Sequence, residues 1–306
     1  MKNSLEEIAE TVPIAELRQD IAGLREGPLA QQGPFDVYLE PAQAIPHVLL
    51  EIGRLRELTF RSVGAGVGKA RDLDDLEEHY SHLFLWDREK HRLAGGYRIA
   101  RTDLVFAEHG FKGLYTGSLC EFDKPLLDYL NPALELGRSW VHPEYQRSLH
   151  PLLGLWKGIG HFVARYPRYH KLFGVVTISD DYTSISQDII VRFLRRTKID
   201  DKWSAAMRAF LPFKDHPEDL SAGLSSIEEV SARVSTYESD GKGVPVLLRQ
   251  YLKLNATLLG FAYDPKFGDC LDAMVLVDLR EAPQNILKKY MGKEGHARFA
   301  AHVAGE

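Results

Sequence analysis

An α/β fold built on a mixed sheet is what this sequence predicts, and three observations carry the prediction. Apolar runs of strand length alternate with apolar segments of helical period, in the order strand–helix–hairpin–strand–helix–strand–helix, a pattern that layers helices on a sheet. Residues 82–87 and 92–101 are joined through Asp-Arg-Glu-Lys-His, short enough that the two runs pair as a β-hairpin. At 306 residues, 44% hydrophobic and 26% charged, the chain can bury one large core or two modest ones.

Residues 1–34 read as an N-terminal helical segment and linker. Leu5, Ile8, Val12, Leu17, Ile21 and Leu24 recur mostly every three to four residues, which predicts one or two short amphipathic helices broken at Pro13. The stretch Gly-Pro-Leu-Ala-Gln-Gln-Gly-Pro, 27–34, predicts a linker. Residues 35–200 read as the core. Phe35, Val37 and Leu39 alternate with Asp36, Tyr38 and Glu40, a strand closed by Pro41. Val48, Leu49, Ile52 and Leu55 mark one face of a helix from about Ile45 to Phe60, and the glycine-rich, then acidic, segment 62–80 is a loop. After the hairpin come a strand at 134–142, a helix at 149–164 and a buried strand at 171–179. Asp180–Asp181 then cap a helix that runs to about Arg196. The polar segment 201–244 reads as an insertion. In 245–306 the pattern gives a helix at 245–260, a strand at 273–279 and a closing helix from Ile286. Roughly 60 residues make a marginal core alone, so this extension is expected to complete the first domain.

Composition excludes several classes. Lys and Arg number 38 against 43 Asp and Glu, a net charge of −5, which argues against a general nucleic-acid binder, whose affinity rests on neutralising phosphates. Cys120 and Cys270 lack a CxxC partner or a nearby histidine, so neither a disulfide framework nor a metal site is indicated and a reducing cytoplasm fits. Acidic residues occupy the N-terminus where a signal peptide needs an apolar stretch, and no run reaches the ~18 apolar residues of a membrane span.

Three motifs invite chemistry. Gly64-Ala-Gly-Val-Gly68-Lys69-Ala70 suggests a phosphate loop but fails the pattern: Val63 stands where the first glycine belongs, and Ala70 where a hydroxyl residue would hold magnesium. A flexible loop, closing over a substrate, is the better reading. His82-Leu-Phe-Leu-Trp-Asp87 has the His-x4-Asp spacing of glycerolipid acyltransferases, but its intervening residues are all large and apolar, the mark of a buried strand. The densest block is Leu134-Glu135-Leu-Gly-Arg138-Ser-Trp140-Val-His142-Pro. A carboxylate, a guanidinium and an imidazole in an apolar strand are costly to bury unless paired or used. In a regular strand Glu135 and Arg138 face opposite sides, so a shared site demands a bulge, which Gly137 would permit.

Arg56–Phe60, the acids Asp74 and Glu77 with His82, then Gly96-Tyr97-Arg98, then the 134–143 block resemble, in order, the bacterial N-acyltransferases that make ornithine lipids and other acyl-amino acids. Those enzymes are members of the acetyltransferase (GNAT) superfamily, related to acyl-homoserine-lactone synthases. Later blocks at 155–159, 172–179 and 247–254 resemble longer bacterial versions that carry a hemolysin label. The resemblance spans roughly 35–280. It implies a GNAT-like mixed, partly antiparallel sheet flanked by helices, and the transfer of a long, in some members 3-hydroxylated, acyl chain to the amine of an amino acid such as ornithine or glycine, in lipid biosynthesis. No cofactor is implied; acyl carrier protein or acyl-CoA serves as co-substrate.

On that resemblance, Glu135 is the expected base and Arg138 its partner in the catalytic strand. Substrate contacts are expected from Arg56, Phe60, Asp74, Glu77, Arg98, Trp140 and His142, and donor contacts from Arg147, Lys157, Gly158 and Ser179. Arg138 is expected to pair with an acid of 74–77 or to hold an acceptor carboxylate. From Arg147 to Lys198 nine Lys/Arg face three Asp, a local +6 in a chain of −5. A basic face of that kind suits an acidic acyl carrier protein and anionic lipid headgroups, hence the inner face of the membrane. Two rivals stand beside this reading: a glycerolipid O-acyltransferase using His82 and Asp87, and a non-catalytic acyl-lipid or membrane-binding protein.

Overall fold

The computed structural model describes residues 5–214 and 219–305. Among these, α1 (Ile14–Gly23) precedes β1 (Ala30–Gln32), β2 (Phe35–Pro41) and α2 (Pro46–Arg61). The hairpin β3 (Ser81–Asp87) and β4 (Arg92–Arg101) follows, then α3 (Thr102–Glu108), β5 (Cys120–Phe122), α4 (Lys124–Tyr129) and β6 (Leu134–Val141). Next come α5 (His150–Arg165), β7 (Lys171–Ile178), α6 (Ser184–Thr197), β8 (Met207–Ala209) and α7 (Ile227–Ser235). The chain ends with α8 (Val246–Lys253), β9 (Thr257–Asp264), β10 (Cys270–Asp278) and α9 (Gln284–Gly305).

Eight strands form one sheet in the order β1-β2-β3-β4-β6-β7-β10-β9, while β5 and β8 make a separate ribbon. Every neighbouring pair in the large sheet is antiparallel except β6 with β7. That exception follows from connectivity, because the helix α5 carries the chain back across the sheet between them. On one face α5, α6, α8 and α9 bury the largest apolar cluster, which includes Val37, Leu83, Leu134, Leu172 and Val275. The opposite face carries α1 and α2 over Tyr38, Phe84 and Trp140, and beside them α3 and α4 over Ala100, Phe173 and Met274. None of the described helices is long and apolar enough to cross a membrane.

Several expectations are corrected. Residues 5–13 are not helical, because Pro13, which has no N–H to donate, sits at the α1 N-cap. The 27–34 linker contains β1, which adds to the sheet edge through β2. Thr183, rather than Asp180–Asp181, caps α6: its side chain accepts from the Ser186 N–H. The helix expected over 245–260 ends at Lys253. After Asn255, in the left-handed region at φ 61°, the chain becomes β9. Long apolar runs do not distinguish a helix from a buried strand. Within 201–244, β8 pairs with β5 rather than standing apart, and residues 215–218 of that segment lie outside the described set.

Candidate active site

β6 and β7 pair over only Leu134–Leu136 with Leu172–Gly174 and then diverge. Two local features produce the divergence. Arg98 pairs with Gly137 and Gly96 with Trp140, so β6 carries one residue more than β4 across this step. Arg138 stands in the left-handed region at φ 49°, and the extra residue forms a β-bulge. On β7, Gly174 has φ +148°, and a Cβ there would lie 2.2 Å from the Leu136 carbonyl oxygen, so only glycine lets the strands meet where the wedge begins.

The wedge opens into a cavity of about 450 Å3. One side is apolar, with Leu136, Leu152, Val176 and Leu247 beside Tyr97 and Tyr251, on the face covered by α5 and α8. The other side carries Tyr115, Arg138, Thr177 and Phe267. The cavity therefore passes through the sheet where strand pairing fails, and it joins an apolar half to a polar one. The Arg138 guanidinium lies between the rings of Tyr115 and Phe267, at 4.6 and 4.3 Å, with its Nε 3.0 Å from the Asp72 carboxylate.

A buried ion network backs this arginine. Arg98 donates to Asp74 at 2.6 Å and to Glu77 at 2.9 Å, and Arg56 donates to the same Glu77 oxygen at 2.9 Å. Arg56 and Arg98 are both 0% exposed, so the carboxylates are what make burial of two guanidinium groups tolerable. Glu135 lies nearby on the same face. Its carboxylate accepts from the Thr116 N–H at 2.8 Å, the Tyr115 N–H at 3.2 Å and the Tyr80 hydroxyl.

A family profile described as the Acetyltransferase (GNAT) domain matches residues 55–157, which run from α2 through the bulged β6 into α5. A glycine N(alpha)-acyltransferase of Phocaeicola vulgatus is 31% identical over 293 residues, covering 90% of each chain. The chain belongs to the GNAT family of N-acyltransferases. An L-ornithine N(alpha)-acyltransferase of Brucella abortus is 26% identical, over 86% of this chain and 90% of that one. A solved CoA-dependent acyl-homoserine lactone synthase, with SAM and isopentyl-CoA, aligns over 87% of this chain and 98% of its own at 13% identity and a TM-score of 0.40, a likeness too weak to inform function.

Set in this GNAT wedge, the residues expected from sequence divide sharply. Phe60, Arg138, Trp140 and Ser179 line the cavity. The bulge that a common face for Glu135 and Arg138 demands is present, centred on Arg138 rather than Gly137. Arg56, Asp74, Glu77 and Arg98 do not line the cavity; they form the ion network beneath it. Substrate contact by Arg56 or Arg98 is thereby corrected, since both are sealed from solvent. Glu135, 1% exposed, has no surface on the cavity and is separated from it by Tyr115. The Glu135 carboxylate therefore has no direct contact with an amine held in the cavity.

The donor contacts are corrected in part. A Cβ at Gly158 would lie 2.7 Å from Val37 Cγ1 and 2.8 Å from Leu83 Cδ1, so this glycine lets α5 approach the sheet. Lys157, one position before it on α5, does not line the cavity. His142 accepts from the Glu144 N–H at 3.2 Å and packs edge-on to Tyr145, outside the cavity. Arg147 is exposed between Gln146 and Ser148, which do line it. The basic run does not make one free face, because Arg165, Arg168 and Arg192 pair with Glu26, Asp103 and Asp188. The 64–70 loop is pinned rather than free: Glu57 accepts from the N–H groups of Val67 and Gly68 at 3.0 and 2.8 Å, and Ala65 forms part of the cavity wall.

The His82/Asp87 rival fails on geometry. The two stand at opposite ends of β3, five residues apart and so roughly 17 Å from one another. Asp87 accepts from Tyr145 and from the hairpin N–H groups of Glu89 and Lys90. His82 is fully buried, and its pKa is held down at about 3 by burial and by the positive charges of Arg56 and Arg98. In the unfolded chain it titrates near 6.5. The unfolded state therefore binds a proton that the native state refuses below that pH, and stability falls as pH drops from about 6.5 towards 3. We expect chemical denaturation of His82→Gln between pH 7 and 4 to show a shallower fall than the parent.

Sequence reasoning missed Tyr115, Thr177 and Phe267. Tyr115 lies between α3 and β5, a stretch with no readable period. Thr177 sits in a strand that reads as uniformly buried. Phe267 follows a strand that the hydrophobic pattern assigns to a helix.

Proposed function

We propose that this N-acyltransferase moves a long acyl chain from a phosphopantetheine thioester to the α-amine of a small amino acid such as glycine or ornithine. The observation that carries the reading is the two-sided cavity at the β6/β7 wedge, with an apolar half for the chain and Arg138 in the polar half for the acceptor carboxylate. Backbone groups of β6 beyond Leu136 have no ladder partner on β7, which suits them to bind the thioester carbonyl as negative charge develops on it. Glu135 serves this site by holding the Tyr115–Thr116 backbone that walls the polar half. Ser179, at the wedge mouth, is placed to meet the pantetheine arm that coenzyme A and acyl carrier protein share. Exposed Val63, Leu149 and Val246 ring the mouth at 43, 72 and 51% exposure, an apolar rim suited to a lipid surface and to release of an acylated product into it.

The test is incubation with radiolabelled palmitoyl-CoA or palmitoyl-acyl carrier protein and, separately, glycine, ornithine or lysophospholipid. The expected product is an acyl amide with an amino acid. An ester with lysophospholipid, or binding without turnover, overturns the reading, and the two donor arms decide which carrier is used.

A further inference from the structure

Asp272, the third residue of β10, is 1% exposed and makes a single side-chain hydrogen bond: its Oδ1 accepts from the Thr177 hydroxyl at 2.7 Å. Its Oδ2 has no partner among the described residues. Thr177 lines the polar half of the cavity together with Arg138 and Tyr115. A structural anchor for Thr177 needs only a neutral acceptor, and an asparagine would supply one without a charge to bury.

We propose that the Thr177 hydroxyl, backed by Asp272, is the proton-accepting pair of the acyl transfer. The inference rests on the reading above and places a proton acceptor on the cavity wall itself, where Glu135 has no surface. The acceptor enters as an ammonium with its carboxylate at Arg138. Thr177 Oγ1 takes one ammonium proton while its own hydroxyl proton passes to Asp272 Oδ1. The freed amine lone pair forms the C–N bond at the thioester carbonyl. As the tetrahedral adduct collapses, the C–S bond breaks, the sulfur leaves with the electron pair and takes a second proton from nitrogen. An amide with one N–H and a free thiol result, and Asp272 returns its proton to the Thr177 hydroxyl, which releases one to water in the emptied cavity. Thr177 touches the substrate, and Asp272 acts through it.

The surroundings suit the task. Burial raises the Asp272 carboxyl to about 7, with Asp264 on β9 adding to the effect while the Thr177 hydrogen bond and Arg138 on β6 oppose it. Tyr115, whose hydroxyl donates to Asp264, and Cys270, two residues away on β10, are the further titratable groups that interact with it among the described residues. A base is most effective when its pKa lies near the working pH.

The experiment measures kcat from pH 5.5 to 9 with palmitoyl-CoA and saturating glycine for the parent, Asp272→Asn, Thr177→Val and Thr177→Ser. The parent should lose turnover on the acid side through an inflection near neutrality. Asp272→Asn should lower kcat at pH 8 at least ~100-fold and abolish that inflection, while Thr177→Ser retains most activity and Thr177→Val does not. Parent activity with an equally active Asp272→Asn and an unchanged acid limb overturns the pair and leaves the acyl-transfer reading intact. A parent that forms no amide with palmitoyl-CoA or palmitoyl-acyl carrier protein and with either glycine or ornithine overturns both. If Asp272→Asn does not fold, full turnover by Thr177→Val overturns the pair by itself.

Discussion

Glu77→Gln should cost on the order of 3–5 kcal/mol of stability, measured by urea unfolding at pH 7, and should be among the most damaging single changes in the molecule. The Glu77 carboxylate is 6% exposed and one of its oxygens accepts from both Arg56 and Arg98, whose side chains are 0% exposed. Glutamine keeps the volume but removes the negative charge, leaving Arg98 with Asp74, itself 36% exposed, and Arg56 with only the more distant charge of Asp72 among the described residues. Both arginines, Arg56 on α2 and Arg98 on β4, are wholly buried, so a cation left without its carboxylate stays out of water. Replacing Arg56 by methionine together with Glu77→Gln should recover part of the loss, since an apolar group then fills the site. A Glu77→Gln protein with the stability of the parent would show that water enters the network and solvates the cations.

Arg138→Met should raise the KM for the amino-acid acceptor and lower kcat/KM at least ~100-fold, while the KM for the acyl thioester changes little. The guanidinium lies over the rings of Tyr115 and Phe267 and is tethered by Asp72, so it offers a positioned, planar set of donors to a carboxylate. Arg138→Lys should rescue poorly, because an ammonium neither stacks between the two rings in the same way nor offers a bidentate edge. Asp72, 1% exposed, loses its cation in the methionine variant, so a thermal melt at the assay pH accompanies the kinetics. A variant that is folded and has an unchanged acceptor KM removes Arg138 from the acceptor site.

The hairpin, the bulged strand and the helices on α2 and α5 were legible because each has a clear hydrophobic period and a flanking stop signal. Boundaries agree closely where such signals exist: the expected helix at 149–164 is α5 at His150–Arg165, and the strand expected at 171–179 is β7 at Lys171–Ile178. The strand β9 was not legible. Leu247, Leu248, Leu252 and Leu254 lead into Leu258 and Leu259 with no proline or glycine between them, and the left-handed Asn255 marks where the helix gives way to the strand. The short elements between β4 and β6 escaped for a related reason. Their stability comes from packing against Phe173, Met274 and Leu276, which are distant in sequence, rather than from a period of their own.

What the sequence determined by itself was the composition of the site: an acid and an arginine in one apolar strand, two more acids and two more arginines upstream, and no metal-ligand or P-loop pattern. Local rules of burial and spacing are enough to single those residues out, because charge in an apolar run is expensive. What only the tertiary structure decided was the role of each. Three arginines that look interchangeable in sequence are sorted by their places in the fold: the inserted residue in β6 turns Arg138 to the cavity, while Arg56 on α2 and Arg98 on β4 are fully buried and do not line it. The same geometry places Glu135 behind Tyr115 and brings Thr177 and Asp272 together from strands 95 residues apart in sequence. Strand pairing, and the point at which it fails, is a property of contacts between distant segments, and no local pattern encodes it.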